Sequence, residues 1–244
     1  MVIPKIIHYC WFGQSQMPEL AIYCINSWKK YLPDYEFILW NEDNFDINCN
    51  EYVKEAYESK KYAFVTDYVR LYALYNYGGI YMDTDVEVLK PLDKFLKHQA
   101  FTGCENNKIC VTTGTGIMAA EKNHKWIEDL LKEYDERRFI LPDGSYDTTP
   151  NTQIIAKVTM EEYGWKPQNE HQVLKEGLNI YPFDYFCAKD LQTGRIDISE
   201  NTHTIHHFSG SWLSRRDKLK SKIQRIIGPQ ATQFVVNVKR KIKG

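Results

Sequence analysis

The chain has 244 residues, of which 43% are hydrophobic and 26% are charged, and its formal net charge is −1. This length and composition are ordinary for one globular domain, alone or with a short appendage. The sequence lacks the run of about 18 uncharged apolar residues that a membrane-spanning helix requires, and its start has no signal-peptide pattern.

The amino-terminal part alternates between strand and helix patterns. We predict a strand over 2–11 that delivers Trp11 to a loop, a helix over 19–31, a strand over 35–40 and a helix over 50–60. Alternation of this kind predicts a sheet of parallel strands covered by helices.

The stretch 62–88 organises the rest of the chain. Residues 62–77 carry apolar and aromatic side chains nearly all round, which predicts a helix buried on most of its surface. Two glycines follow, and glycine tolerates the left-handed conformation in which many helices end. Residues 80–82 then predict a short buried strand that ends at Asp83-Thr84-Asp85.

Asp83 and Asp85 are the first candidates for chemistry. Two carboxylates one residue apart at the end of a strand point the same way and repel each other. A divalent metal ion between them is the usual compensation, and a solvated turn is the structural alternative. The buried strand, the double glycine and the lack of Lys or Arg within several residues favour the metal.

Two further pairs attract attention. Asp67 and Arg70 lie three apart on one face of the predicted helix, so they can touch. On so buried a helix they form either a structural ion pair or a polar site facing a cleft, and spacing alone leaves both open. His206 and His207 are adjacent residues of a predicted strand, so only one of them can join such a site.

The rest of the chain gives a weaker pattern. It predicts strands over 86–89, 100–104, 117–120 and 202–208, helices over 124–134 and 152–160, a loop over 106–116, and a strand with a turn over 173–182.

Three sequence blocks together resemble a known family. They are Ile3 to Trp11, then Asp-Tyr-x-Arg with Tyr-Gly-Gly-Ile-Tyr and Asp-Thr-Asp within 64–88, then His206-His207 with Gly-Ser-Trp. This combination resembles glycosyltransferase family 32, whose members carry a DXD sugar-binding region and include bacterial capsule transferases and yeast mannosyltransferases. The glucosylating domains of large clostridial toxins and the family 8 galactosyltransferases are more distantly similar. The resemblance is dense over 1–92, thin over 93–200 and returns at 202–212.

The resemblance implies a GT-A type α/β fold, with a mixed central sheet flanked by helices, and a role for each matching residue. Trp11 would stack on the uracil of a UDP-sugar, and Asp67 and Arg70 would hold the hydroxyls of its sugar. Asp83 and Asp85, with Thr84 between them, would bind the donor diphosphate through Mn²⁺ or Mg²⁺. His207 would be the third metal ligand, with His206 as the alternative. Ser211 and Trp212 would lie near the leaving diphosphate. Asn151 and Gln153 would lie near the sugar.

We therefore expect a metal-dependent retaining enzyme that moves a hexose from a UDP-sugar to a saccharide acceptor in capsule-like or lipopolysaccharide-like surface glycan synthesis. Retention is implied by the resemblance alone. One alternative is a phosphohydrolase of the haloacid dehalogenase type, in which the first Asp is a nucleophile; its late acidic pair is not evident here. The other is a non-catalytic sugar- or Ca²⁺-binding module, which a Trp11 buried far from Asp83 would favour.

Charge divides the chain into a predicted catalytic domain over 1–214 and a tail over 215–244. The tail has ten Lys or Arg residues and one acid, a net charge of +9, so residues 1–214 carry −10. Apolar residues recur at helical spacing among Lys218, Lys220, Lys222 and Arg225, which predicts a basic amphipathic helix that lies on an anionic membrane or packs on the domain. The acidic body argues against nucleic acid as a partner.

The six cysteines show neither a Cys-x-x-Cys pair nor zinc-ligand spacing, so we expect reduced thiols rather than a disulfide framework. The sequence also has no Asn-x-Ser/Thr site. Both features predict a cytoplasmic protein, which the basic tail would attach to the inner face of the cell membrane.

Overall fold

A computed structural model describes residues 2–105, 113–191 and 193–210. In this part of the chain the strands are β1 (Ile6–Cys10), β2 (Glu36–Trp40), β3 (Gly79–Met82), β4 (Val86–Val88), β5 (Ala100–Cys104), β6 (Thr113–Ala120), β7 (Gln172–Val173), β8 (Leu178–Tyr181) and β9 (Thr204–His206). The helices are α1 (Glu19–Tyr31), α2 (Glu51–Glu58), α3 (Tyr62–Tyr77), α4 (Lys125–Lys132), α5 (Asn151–Tyr163) and α6 (Phe183–Phe186).

Seven strands form the central sheet in the order β2-β1-β3-β6-β5-β8-β7. β1 runs parallel to β2 and β3, as the alternation of strand and helix predicts. β6 is antiparallel to both β3 and β5, and β8 pairs parallel with β5 and antiparallel with β7. The predicted α/β fold with a mixed central sheet flanked by helices is confirmed.

Apolar side chains cover both faces of this sheet. Along β3, Ile80 and Met82 pack into one core cluster, together with Trp28. Tyr81 points to the opposite face, into the cluster that contains α3. Because side chains alternate along a strand, Asp83 continues on the Tyr81 side and faces α3. The alternation of β3 therefore decides which helix the acidic residues meet.

The double glycine turns the chain from α3 into β3. Gly78 ends the helix at φ +66°, and Gly79 has φ +110°. A Cβ on Gly79 would lie 2.7 Å from the backbone oxygen of Ile6, so both the conformation and the close approach require glycine. His8 on β1 donates from Nε2 to the Gly78 carbonyl at 2.8 Å and accepts from the Trp40 indole at 3.1 Å, which fixes this turn against the sheet.

A second, two-stranded sheet joins β4 to the end of the described chain. β4 pairs antiparallel with β9, and Val86 lies opposite His206. Since Val86 directly follows Asp85, this register brings the late histidine to the acidic residues.

Some sequence expectations need correction. β6 begins at Thr113, inside the stretch 106–116 that we expected to be a loop, and α6 was not anticipated. Among the described cysteines, Cys10, Cys24, Cys49 and Cys187 are free, as expected, but Cys104 is disulfide-bonded. None of the helices in the described part is both long and apolar enough to span a membrane. The predicted tail over 215–244 lies outside the described residues.

Candidate active site

The site lies where β3 ends, between α3, the loop after β1 and the β4–β9 sheet. Asp83, Asp85 and His206 each offer one ligand atom, and these atoms all lie within 4.8 Å of one another. His206 Nε2 is 3.3 Å from Asp85 Oδ1 and 3.9 Å from Asp83 Oδ2. The three side chains are 24%, 12% and 11% exposed in the order Asp83, Asp85, His206, so they converge in a largely buried corner.

This donor set fits a divalent cation. Two carboxylate oxygens and one imidazole nitrogen are compatible with Mn²⁺, whereas Mg²⁺ prefers oxygen ligands throughout. The residues present thus fit a divalent cation.

His207 does not face the acidic pair, which corrects our first choice of histidine. Its Nε2 hydrogen-bonds Glu87 Oε2 at 2.8 Å, on the other side of the small sheet. The pairing of Val86 with His206 sets this arrangement, because neighbouring strand residues face opposite sides. His206, the fallback, is the histidine beside Asp83 and Asp85.

Asp67 and Arg70 belong to the same site. Arg70 Nη2 lies 3.1 Å from Asp67 Oδ1 and 3.4 Å from Asp83 Oδ1. Its guanidinium also lies over the Tyr81 ring, 4.5 Å from the centroid, and the Tyr81 hydroxyl donates to Asp83 Oδ1 at 2.8 Å. Arg70 therefore links the helix pair to the acidic pair, a link that sequence spacing left open.

Asn151, at the start of α5, donates from its side-chain amide to Asp67 Oδ1 at 2.6 Å. It is buried, while Gln153 is exposed, so of the two amides weighed from the sequence only Asn151 contacts the described site. Tyr81 was missed as a site residue. Tyr81 lies two residues before Asp83, so both side chains point to the same face. This spacing could have identified Tyr81 from the sequence.

Trp11 and Thr84 border a cleft beside Asp85. The remaining lining residues are Pro18, Leu20, Ala21 and Ser209. The Trp11 indole donates to the Ser15 carbonyl at 2.6 Å, and the Ser209 backbone N–H donates to Asp85 Oδ2 at 2.7 Å. Trp11 and an acidic residue thus share one cleft. Ser211 and Trp212 lie outside the described residues.

Burial and mutual charge shift the ionisation of these groups. Burial raises the pKa of Asp67 to about 7, with the charge of Arg70 opposing this shift and that of Asp83 adding to it. Burial also raises the pKa of Asp83, against the charges of Arg70 and His206. Burial acts on Asp85 in the same direction, but the His206 imidazolium and the Ser209 N–H hold its pKa below the ordinary value.

His206 carries the compensating charge. Burial disfavours its protonated form, yet the negative charges of Asp85 and Glu105 raise its pKa to about 10. A protonated His206 neutralises part of the acidic pair, and a divalent cation bound there would replace that proton, because metal ligands bind in their deprotonated form.

Part of the chain is similar in sequence to known proteins. Residues 18–102 match the model of the glycosyltransferase sugar-binding region containing the DXD motif, and Asp83-Thr84-Asp85 lies within them. Residues 18–102 are therefore similar to the sugar-binding region of the DXD glycosyltransferases.

Inositol phosphoceramide mannosyltransferase 3 of Schizosaccharomyces pombe is 31% identical over 140 residues, which cover 53% of this chain and 36% of that protein. Mannosyl phosphorylinositol ceramide synthase CSH1 of Saccharomyces cerevisiae is 32% identical over 196 residues, covering 75% of this chain and 49% of that protein. The chain thus spans between a third and a half of the length of these relatives. The solved structure of PaToxG Glycosyltransferase superposes with a TM-score of 0.49 and 18% identity, over 66% of this chain and 70% of that one.

The phosphohydrolase and the binding module lose their support. Residues 18–102, which include Asp83, match a glycosyltransferase region, and this match disfavours the phosphohydrolase in which Asp83 is a nucleophile. The binding module was favoured by a Trp11 remote from the acidic residues, whereas Trp11 borders the same cleft as Asp85. The DXD glycosyltransferase is the reading that agrees with both observations.

Proposed function

We propose that this glycosyltransferase uses a divalent cation, Mn²⁺ in preference to Mg²⁺, to move a hexose from a UDP-sugar to a saccharide acceptor with retention of configuration. The observation that carries the proposal is the convergence of Asp83, Asp85 and His206 on one point, next to the Asp67–Arg70 pair. Breaking the bond from sugar to phosphate leaves a highly charged diphosphate. Bound there, the cation acts as a Lewis acid that offsets this charge, typically by several kcal/mol.

The side chains of the protein supply position and charge. Asp83, Asp85 and His206 would hold the cation, and Arg70 is fixed in place by Asp67, Asp83 and Tyr81 before the donor arrives. Asp67 would accept from a sugar hydroxyl, while Asn151 orients its carboxylate. Groups fixed in this way need no reorganisation during the reaction, which is the basis of electrostatic catalysis.

The identity of the donor's base and sugar is the most specific part of the proposal. Trp11 beside the acidic cleft suits a stacked base, and the family resemblance implies uracil. The two fungal relatives are named for mannosyl transfer, so a mannose nucleotide is the competitor that must be tested against UDP-hexoses.

The direct test measures release of nucleoside diphosphate without an acceptor. The purified protein is incubated with Mn²⁺ and, separately, with UDP-glucose, UDP-galactose, UDP-N-acetylglucosamine and GDP-mannose. We expect slow hydrolysis of a UDP-hexose. Release of GDP alone would overturn the UDP assignment and keep the transferase, and release from none of a broad donor panel would overturn the proposed activity.

Asp85→Asn tests the metal in the same assay. We expect it to abolish Mn²⁺-dependent release while circular dichroism stays unchanged, because the substitution removes charge and keeps shape. Glu161→Gln is the matched control, since Glu161 is an exposed carboxylate on α5. Full activity of Asp85→Asn would rule out the metal site.

We also propose a biological setting. The enzyme acts in surface glycan synthesis, from the cytoplasm, at the inner face of the cell membrane. The support is the basic composition of residues 215–244 beside an acidic body, together with the capsule transferases among the family that the sequence resembles.

A further inference from the structure

The second ring nitrogen of His206 faces away from Asp83 and Asp85. This atom, Nδ1, is buried and makes no hydrogen bond within the described part of the chain. Glu105 Oε1 lies 3.6 Å from it, a separation longer than a hydrogen bond. A buried polar atom without a hydrogen bond costs free energy, so a partner for this nitrogen would stabilise the site.

The surroundings hold the imidazole where Glu105 can reach it. A Cβ at Gly116 on β6 would lie 2.6 Å from His206 Nδ1, so the ring rests directly on that strand. The Phe208 ring covers it from another side, with ring centroids 4.0 Å apart. Glu105 directly follows β5 and lines the same pocket as His206. The carboxylate and the Nδ1 side of the ring therefore face each other across a short gap.

We propose that Glu105 is the positioning residue of the metal site, acting through His206. Its carboxylate accepts the Nδ1–H of His206 when the cation is bound, which leaves the Nε2 lone pair directed at Asp83 and Asp85. A metal-binding histidine commonly donates its other N–H to a carboxylate, which fixes the tautomer and raises the basicity of the ligand. The inference rests on the proposed metal site and adds a residue from the region 93–200, where the family resemblance is thin.

The test measures Mn²⁺ affinity in the absence of any sugar nucleotide, by electron paramagnetic resonance titration of the full chain. Glu105→Ala removes both the hydrogen-bond acceptor and the charge. We expect Mn²⁺ affinity to fall about 10- to 100-fold, as for other residues that hydrogen-bond a metal ligand. Glu105→Gln keeps an acceptor oxygen and removes the charge, so its loss should be smaller.

Glu87→Gln is the matched control. The Glu87 carboxylate contacts the neighbouring histidine, with Oε2 2.8 Å from His207 Nε2. The variant therefore removes an equal charge, but beside His207 instead of His206. We expect Mn²⁺ affinity close to that of the wild type.

A second readout separates positioning from a general structural effect. Spin-echo modulation of bound Mn²⁺ reports directly coordinated nitrogen, and we expect the His206 signal in wild type and Glu87→Gln. In Glu105→Ala the signal should weaken even when excess Mn²⁺ fills the site. A merely destabilised protein would keep the nitrogen signal in every molecule that still binds metal.

The outcomes distinguish this inference from the proposed function. If the wild type binds Mn²⁺ and both Glu105 variants bind it equally well, Glu105 has no positioning role and the metal site stands. If the wild type binds no Mn²⁺, both proposals fail together. If Glu105→Ala does not fold, Glu105→Gln decides: a reduced affinity supports the inference, and an unchanged affinity overturns it.

Discussion

Arg70 contacts carboxylates on two different elements, Asp67 one turn earlier on α3 and Asp83 at the end of β3. It also lies over the Tyr81 ring. A lysine ammonium cannot occupy all three positions, because it is a compact charge without a planar fork. The geometry of the guanidinium, beyond its charge, therefore joins Asp67 on α3 to Asp83 at the end of β3.

We predict that Arg70→Lys lowers kcat/KM for donor hydrolysis by about 10- to 100-fold, the cost of losing one well-oriented charged contact in the transition state. Arg70→Ala should in addition destabilise the fold by about 3–5 kcal/mol, because it leaves buried carboxylates uncompensated. Steady-state kinetics and urea denaturation measure the two effects.

Arg195→Lys is the control for Arg70, since Arg195 is an exposed arginine whose side chain is 76% accessible. Arg195→Lys should change neither kcat/KM nor the free energy of unfolding. An Arg70→Lys enzyme with wild-type kcat/KM would show that charge alone suffices at this position.

At the scale of elements, Glu55 ties the segment before α5 to α2. Its carboxylate accepts from the backbone N–H groups of Phe139 and Ile140 at 2.8 and 3.0 Å, and from Arg138 Nε at 2.9 Å. This segment continues to Asn151, which contacts Asp67. Glu55 thus helps to hold the segment that leads to Asn151, the residue in contact with Asp67.

We predict a pH-dependent contribution of Glu55 to stability. The Arg138 hydrogen bond, assisted by the two backbone N–H groups and opposed by burial, lowers the pKa of Glu55 below its ordinary value of 4.5. A lowered pKa in the folded state means that the unfolded state binds the proton first as pH falls. The stabilisation is therefore complete above the unfolded pKa and is lost progressively below about pH 4.5.

The measurement compares the free energy of unfolding of the wild type and Glu55→Gln between pH 7 and pH 3. We expect the variant to be less stable by about 1.5–3 kcal/mol at neutral pH, the range for hydrogen bonds to a charged group, with the difference shrinking in acid. Glu51→Gln on the same helix is the control, because Glu51 is 63% exposed. A pH-independent difference would contradict the linkage argument.

Some elements of the fold are predictable from the sequence and others are not. α3, the glycine turn and β3 follow from local pattern, because each depends on burial or on the conformational freedom of its own residues. β6 was expected to begin at 117 because Thr113-Gly114-Thr115-Gly116 reads as a loop, yet Thr113 pairs with Cys104 on β5, and the register shifts before the pairing of Thr102 with Met118. Gly116 is suited to this strand because His206 rests on it, a contact that no local pattern contains.

The choice between His206 and His207 failed for a related reason. Both lie in one short apolar segment, and only the pairing of Val86 with His206 decides which of them meets the acidic residues. Likewise Asn151 contacts Asp67 across 84 positions of sequence. Sequence pattern identified the candidate residues, while the contacts among them depend on tertiary register.

For the whole molecule, charge asymmetry is the property with a functional consequence. Residues 215–244 carry +9 and the rest of the chain −10. An anionic membrane would attract the tail, at about 1 kcal/mol for each basic residue near its surface, and would repel the acidic body. Such a surface would therefore orient the molecule as well as bind it, with the tail towards the lipid and the acidic body away from it.

We predict that the full chain sediments with vesicles containing phosphatidylserine and that deletion of residues 215–244 removes this binding. The full chain should not sediment with neutral phosphatidylcholine vesicles, and raised salt should release it from the anionic ones, because the attraction is screened over about 10 Å at 0.1 M salt. Substitution of Lys218, Lys220 and Lys222 by glutamine keeps the length and apolar residues of the tail. It therefore distinguishes an effect of lysine charge from an effect of the tail's presence. If this variant binds as the full chain does, these three lysines do not drive attachment, and if the deletion binds equally well, the tail is not the membrane-binding segment.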